Sequence, residues 1–382
     1  MFRATEHSAE KPDSPLKPPE RCPACNSRSI APKGSRIKKL EKVRLYRCAS
    51  CGRVFTPGPR AIRQKVYPLN EILDAISTYN RGYTLEETSR RLSSRYGHAI
   101  HPATISRWLA EHPRLTTYQR LRDRGLALFT PTQLIRTVKL YHRQVYEFAV
   151  HRAKTAFIRA GTLDDRRRGN TRFAPIADFL ERVHHECPHE LFRREDAARA
   201  SQLAPGFLSL DRLVVFEKQN TATETAALII PSVGSNYDRH SQLQRFMLIN
   251  DSTTVAVEVP IFLVEDDIAA LEEDYGVEIV PKEPVHSARA ALGHKPRFIT
   301  GHIDLLQVRN GSIHILDYKP DARTNRPIAQ LLVYALALTR LVPDLVLSDI
   351  LCAWFNETCY NEFSPRRLLR SLSEKRFLGD DF

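Results

Sequence analysis

Long apolar runs are missing from this chain. Its longest nearly apolar stretch, Ile328 to Leu338, is interrupted by Gln330. It falls short of the roughly 20 residues that a bilayer-spanning helix needs. The opening MFRATEHSAEKPDSPLKPPE has no apolar centre, which argues against a secretory signal. Its four prolines in twenty residues read instead as a disordered leader over residues 1–20. A cytoplasmic protein with no membrane partner is the expectation. With 382 residues, 42% hydrophobic and 26% charged, the chain is neither collagenous nor wholly disordered. Its length suits about two to three domains.

The C-terminal two thirds lack net charge. Residues 1–124 hold 25 Lys+Arg against 11 Asp+Glu, while the other 32 Lys+Arg are balanced by 33 Asp+Glu. The whole excess of +13 therefore sits at the front. One basic end and one neutral end suggest a polyanion-binding module joined to something else. A basic surface that merely aids solubility is the plain alternative.

Cysteine is equally uneven. Four of the seven lie in Cys22-Pro-Ala-Cys25 and Cys48-Ala-Ser-Cys51. Two CxxC pairs joined by a returning hairpin bring four thiolates together around one tetrahedral zinc. A redox CxxC is the alternative, but that motif does not need a second copy. So small a piece buries little core, so the metal would supply much of its folding energy. CPACNSRSIAPKG and RLYRCASCGRVFTP resemble the zinc ribbons at the front of some insertion-sequence transposases, which implies a ribbon over residues 21–58. Cys187, Cys352 and Cys359 are scattered and read as ordinary reduced thiols. In His184-His185-Glu186-Cys187-Pro188-His189-Glu190 the potential ligands are too crowded to share one regular face, so a solvated surface stretch is expected.

Residues 68–112 read as three helices. The first runs from Pro68 to about Tyr79, with Leu69, Ile72, Leu73 and Ile76 at helical spacing. The second opens with the capping box Thr84-Leu85-Glu86-Glu87 and runs to about Ser93. The third starts at Pro102 and sets Ile105, Trp108 and Leu109 on its inner face. Thr104, Ser106 and Arg107 then face outward. A short helix, a turn and a helix with small polar residues and Arg at its front is a helix-turn-helix layout, whose second helix enters the major groove. Arg can fork onto guanine, and small residues allow close approach. GYTLEETSRRL and HPATISRWLAEH resemble the helix-turn-helix units of transposases and repressors, which implies a DNA-binding domain over 66–124. Arg63 and Lys65, with Arg60, would lie near phosphates. A plain helical hairpin with no DNA role is the alternative.

Residues 125–250 say less. Leu134, Val138, Tyr141, Val145, Phe148 and Ala149 recur at three- and four-residue steps. They suggest a helix from about Thr132 to Ala160 carrying His142, Glu147 and His151. Residues 164–170 read as an exposed loop. Leu213–Phe216 and Ala226–Ile230 are too short to classify by period.

Chemistry appears near the C-terminus. Phe298 to Val308 reads as a strand, Asn310-Gly311 is a strong hairpin signal, and Ser312 to Lys319 reads as the return strand. With a two-residue turn, facing residues have numbers summing to 621, and Asp304 then faces Asp317. Their Cβ atoms would stand roughly 4.5–5.5 Å apart. Lys319, two residues from Asp317, shares that face. Like charges placed opposite destabilise a sheet. A divalent cation held by both carboxylates offsets the repulsion, with the Tyr318 carbonyl as a further ligand. Oxygen ligands suit magnesium or manganese, and such an ion supports phosphodiester hydrolysis. The plain alternative is an exposed strand pair in which Lys319 neutralises two acids.

Asp-(x12)-Asp-x-Lys resembles the PD-(D/E)XK nuclease pattern. More narrowly, GHIDLLQVRNGSIHILDYKP followed by QLLVY resembles the RecB-like branch. There a Gly-x-Ile-Asp strand (Gly301, Ile303, Asp304) precedes Asp-Tyr-Lys (Asp317, Tyr318, Lys319). A helix with Gln-x-x-x-Tyr (Gln330, Tyr334) follows. The resemblance implies Asp304 and Asp317 as metal ligands and Lys319 as the catalytic lysine. Gln330 and Tyr334 would position the site or bind DNA. Pro320-Asp321 replaces the Thr-Gly that often follows the lysine. The family also supplies an upstream acid or His. Glu258, set by strand alternation opposite to Val257 and Val259, is the first choice; Glu147, His151 and His240 are weaker ones. Some RecB-like enzymes hold an iron–sulfur cluster on four cysteines, and the three scattered ones here predict none.

The expected fold is multidomain. A zinc ribbon and an all-α helix-turn-helix precede an α/β restriction-endonuclease-like domain over 130–382, with a mixed sheet flanked by helices. The expected function is metal-dependent hydrolysis of DNA, tied to a mobile element or a defence system. Zinc is structural, magnesium or manganese catalytic, DNA the partner and a homodimer admissible. Two alternatives stay open: a non-catalytic DNA-binding regulator on an inactive nuclease scaffold, and a transposase-related protein.

Overall fold

The computed structural model describes residues 19–57, 66–116, 119–163, 169–203, 214–218, 220–233, 238–276, 278 and 298–371. Most of the leader, residues 164–168, Leu213, and Arg60, Arg63 and Lys65 lie outside the described residues. The chain divides into two compact units. One comprises residues 1–116 with 225–243, the other 117–224 with 244–382.

In the first unit, β1 (Ile30–Ile37), β2 (Lys42–Cys48) and β3 (Val54–Phe55) form an antiparallel sheet. Its buried cluster is Cys22, Tyr46, Cys48 and Phe55, too little apolar surface to hold so small a piece by itself. Each CxxC closes the same way. The Asn26 N–H donates to the Cys22 carbonyl and the Gly52 N–H to the Cys48 carbonyl, both at 2.9 Å. Asn26 and Gly52 take positive φ, 60° and 69°, the left-handed region that Asn and Gly tolerate. The two knuckles bring Cys22 Sγ to 3.6 Å from Cys51 Sγ and Cys25 Sγ to 3.5 Å from Cys48 Sγ. Four sulfurs around a tetrahedral zinc at roughly 2.3 Å lie about 3.8 Å apart, so the quartet has the geometry of a zinc ribbon.

Three helices follow: α1 (Leu69–Asn80), α2 (Leu85–Tyr96) and α3 (Pro102–Glu111). Thr84 Oγ1 caps α2 by accepting from the Glu87 N–H at 3.1 Å. The helix continues past Ser93 and stops at Gly97, where φ is 71°. Ile72, Ile76, Leu92, Ile100, Ile105 and Trp108 are buried. Ser106 and Arg107 are exposed, and Thr104 is half-buried. Short helices α4 (Pro113–Thr116) and α5 (Gln119–Leu126) come next.

The remaining elements are, in chain order, β4 (Ile135–Tyr141), β5 (Val145–His151), α6 (Arg152–Arg159), α7 (Ala174–Glu186), β6 (Ala197–Arg199), β7 (Phe216–Glu217), α8 (Thr221–Ile229) and α9 (Asp238–Asn250). They continue with β8 (Thr254–Val264), α10 (Glu265–Tyr275), β9 (Phe298–Arg309), β10 (Ser312–Tyr318), α11 (Ile328–Leu341), β11 (Ile350–Phe355) and β12 (Tyr360–Phe363). The sheet order is β4-β5-β8-β9-β10-β11-β12-β7, with β6 also against β9. β10–β11 and β6–β9 are parallel and the other pairs antiparallel. It is a mixed sheet. α11, buried from Ile328 to Leu338 except for the half-buried Gln330, packs on β8, β10 and β11, and α7 packs on β5 and β8.

The helix expected over 132–160 is overturned. Residues 135–151 form the hairpin β4–β5, and only Arg152–Arg159 is helical. Ile, Val, Tyr and Phe favour strands, the three- and four-residue steps were coincidental, and the polar His142-Arg143-Gln144 makes the turn. Ala226–Ile229 is helical, in α8, and Phe216 belongs to β7.

β5 passes directly into α6, and Lys154 locks that junction. Its fully buried ammonium donates to the carbonyls of Leu248, at 2.7 Å, Asp251 and Thr254, at 2.7 Å. Burial pushes this group down to about 7 against the opposing charge of Asp251. Three carbonyl acceptors use all three ammonium hydrogens and favour the charged form. Lys154→Met would leave those carbonyls without their donor. It should lower stability in urea unfolding of the full chain by about 3 kcal/mol; a variant as stable as wild type would contradict this role.

Candidate active site

The ladder between β9 and β10 runs from Ser312 opposite Arg309 to Leu316 opposite Leu305. The next facing pair in that register is Asp317 and Asp304. The Tyr318 N–H points at Asp304 Oδ2, 3.4 Å away. Lys319 Nζ lies 2.9 Å from Asp317 Oδ2. Asp317 is only 2% exposed, whereas Asp304 and Lys319 are half-buried.

β8 brings a third acid. Val257 pairs with Leu305 and Val259 with Ile303, so Glu258 falls level with Asp304 on the other side of β9. Three carboxylates thus lie side by side across β8, β9 and β10. Glu258 adopts φ 50°, a left-handed conformation that is strained for a residue with a long side chain. Its carboxylate accepts from Gln244 Nε2 at 2.7 Å.

α11 closes the site. Gln330 Nε2 donates to the Tyr334 hydroxyl at 2.9 Å. The Tyr334 ring presses on Gly301 so closely that a Cβ there would stand 2.5 Å from Tyr334 Cε1. Gly301 is therefore a space requirement of the tyrosine. A cavity of about 160 Å³ is lined by Glu258, Asp304, Gln330 and Tyr334, and also by Tyr146 and Arg199. Asp317 and Lys319 do not line it.

Charge in this cluster is poorly compensated. Burial, then the neighbouring Asp304 charge, pushes the Glu258 carboxyl up to about 8 despite the Gln244 hydrogen bond. Burial and Asp304 likewise hold Asp317 well above the usual carboxylate range, against the pull of Lys319. Burial disfavours the Lys319 ammonium, but Asp317 and Asp304 outweigh it and keep the group charged. Asp317 Oδ2 is buried, with the Lys319 ammonium 2.9 Å away as its compensation. An all-oxygen donor set in which burial and a neighbouring acid disfavour two of the carboxylate charges fits a hard divalent cation.

The other upstream choices do not join this group. Glu147 and His151 are odd-numbered residues of β5, on the opposite face from the cavity-lining Tyr146. Glu147 is exposed, and His151 caps α6 by accepting from the Lys154 N–H. His240 lies in α9, in the part of the chain assigned to the first unit. Sequence reasoning missed Arg199, which brings positive charge to the cavity from β6, and His302, which lies there two residues before Asp304. Neither carries a signal without the fold. The segment His184–Glu190 also needs correction. α7 ends at Glu186, Cys187 is buried, and His184 and His189 are half-buried. The crowding holds for one helix face, but the chain leaves the helix at Cys187 and turns.

A family model for the PD-(D/E)XK nuclease superfamily matches residues 149–352. The chain belongs to that superfamily, and its mixed, helix-flanked sheet is of the restriction-endonuclease-like kind. Members of the superfamily are generally metal-dependent nucleases. No curated protein and no solved structure matches the chain significantly.

The raised acids have a consequence for stability. Glu258 moves from an ordinary value of 4.5 in the unfolded chain to about 8 when folded, so the folded state binds the extra proton. That contribution is present below about 4.5 and lost as pH rises through about 8. Without added divalent cations, the melting temperature should therefore fall between about pH 5 and 8. Glu258→Gln should flatten that slope; an unchanged slope would contradict the assignment.

Proposed function

We propose that this protein is a divalent-metal-dependent deoxyribonuclease whose front end brings it to DNA. The observation that carries the reading is the row Glu258, Asp304, Asp317 across three neighbouring strands with Lys319 beside Asp317. Asp304 and Asp317 would hold magnesium or manganese, with Glu258 and the Tyr318 carbonyl completing the oxygen set. A bound ion would lower the pKa of a water and polarise the phosphodiester. Lys319, held charged by the two aspartates, orients the attacking water and steadies negative charge developing on the phosphate. Tyr334, fixed by Gln330 and by the space at Gly301, shapes the wall against which DNA is placed. Arg199 offers the cavity a positive group for a phosphate.

Gly301-x-Ile303-Asp304, Asp317-Tyr318-Lys319 and Gln330-x-x-x-Tyr334 support placement in the RecB-like branch. At the front, zinc on Cys22, Cys25, Cys48 and Cys51 would fix a ribbon over about 21–58. The exposed Ser106 and Arg107, with Thr104, support a helix-turn-helix within 66–124. The +13 net charge, concentrated there, supplies the phosphate attraction. A nuclease domain over about 130–382 behind a transposase-like front end fits a mobile element or a defence system.

The test is the purified full chain with supercoiled plasmid and magnesium. Wild type should nick or degrade the DNA. Asp317→Asn and Lys319→Ala should each lose at least about 100-fold of that activity, the scale of removing one electrostatic transition-state contact. Intact DNA with wild type, or full activity in either variant, would end the reading. Arg107→Ala should weaken DNA binding while leaving the folded first unit intact; unchanged affinity would remove α3 from the DNA contact.

A further inference from the structure

Apart from the acid row and the cysteine quartet, the described residues hold one more convergence of metal-ligating side chains. His142 lies in the turn after β4, Cys187 directly follows α7, and His189 comes two residues later. A ring nitrogen of each histidine and the Cys187 sulfur all lie within 4.8 Å of one another. His142 and Cys187 are 5% exposed, and His189 is half-buried. The segments meet because α7 packs on β5, the partner of β4. At the end of α7 the Cys187 N–H still donates to the Val183 carbonyl at 2.9 Å, and the His189 N–H donates to the Cys187 carbonyl at 2.8 Å. This turn over Pro188 presents Cys187 and His189 together.

The remaining ring nitrogens are both engaged, that of His189 by a backbone carbonyl as is usual for a metal-bound imidazole and that of His142 by another imidazole. His142 Nδ1 is 2.8 Å from His302 Nε2, and His189 Nε2 is 3.3 Å from the His184 carbonyl. Phe192 stacks on the His142 ring at 3.9 Å. His142 Nε2 lies 2.9 Å from His189 Nδ1. Two nitrogens on one tetrahedral zinc stand about 3.3 Å apart, so the two imidazoles are within a few tenths of an ångström of a loaded spacing, and Cys187 Sγ lies within 4.8 Å of both. A metal-free hydrogen-bonded relay would account for the imidazoles but gives Cys187 no reason to be beside them.

We propose that His142 Nε2, His189 Nδ1 and Cys187 Sγ bind a zinc ion, with a water in the fourth position. Two imidazoles and a thiolate are a borderline-soft set that suits zinc rather than magnesium. On binding, the Cys187 sulfur releases its proton to solvent. His142 then carries its remaining proton on Nδ1 and donates it to His302 Nε2. Since His302 stands two residues before Asp304, the ion ties the β4–β5 turn and the end of α7 to the strand that bears the central acid. Its ligands belong to neither the acid row nor the ribbon; His142 lines the cavity that also holds Glu258 and Asp304, but zinc content is read without any nuclease activity.

The experiment is metal analysis of the full chain purified with zinc, followed by cobalt substitution. Wild type should hold two zinc ions per chain. Cys187→Ser and His189→Ala should each hold one, and the exposed-residue control His185→Ala should keep both. The double variant Cys22→Ser, Cys25→Ser leaves the second unit untouched. It should bind one cobalt with a single-thiolate charge-transfer band that disappears when Cys187→Ser is added. No zinc in wild type, a zinc content unchanged between wild type and Cys187→Ser, or no thiolate-bound cobalt in the double variant would each overturn the proposal. The double variant keeps the test decisive if Cys187→Ser fails to fold.

Discussion

Mutual repulsion among three closely placed carboxylates, one buried and two half-buried, is the constraint on which the second unit turns. Glu258, Asp304 and Asp317 stand level on three neighbouring strands, with Lys319 beside Asp317 to balance them. Charges so placed are costly unless paired. The protein spends much of its architecture on holding them there. β9 is flanked by β8 and β10, so each neighbour contributes one acid. α11 covers the sheet and deepens the burial of Asp317. Gly301 surrenders its side chain to make room for Tyr334, and Glu258 accepts an unfavourable backbone angle to stand level with Asp304. A polar cluster maintained against such local costs is the basis on which the metal site is proposed.

The first unit rests on a different economy of parts. Its ribbon has one small buried apolar cluster, Cys22, Tyr46, Cys48 and Phe55, and its cohesion depends on whether the four sulfurs are joined by a metal. The helices α1 to α3 have a conventional apolar interior, with Ile105 and Trp108 inward and Ser106 and Arg107 outward.

Much of this could be read in the sequence, and the reasons differ by element. Asn310-Gly311 fixes a two-residue turn, and a turn fixes register, so the facing of Asp304 and Asp317 followed from arithmetic. Strand alternation was enough to put Glu258 on a different face from its valine neighbours, although its positive φ was not visible. The cysteine spacing and the Thr84 cap are local signals and were legible for that reason. The hairpin β4–β5 was misread because its apolar residues also fit a helical period. Arg199 and the grouping of His142 with Cys187 and His189 depend on packing between distant segments, which no local pattern encodes.

The most direct test of the central claim is manganese binding to the zinc-loaded full chain, followed by electron paramagnetic resonance and by calorimetry in buffers of different ionisation enthalpy. The carboxylate row predicts saturable binding with release of protons near neutral pH, abolished in Asp304→Asn. No saturable binding, or the same binding and proton release in Asp304→Asn, would contradict it.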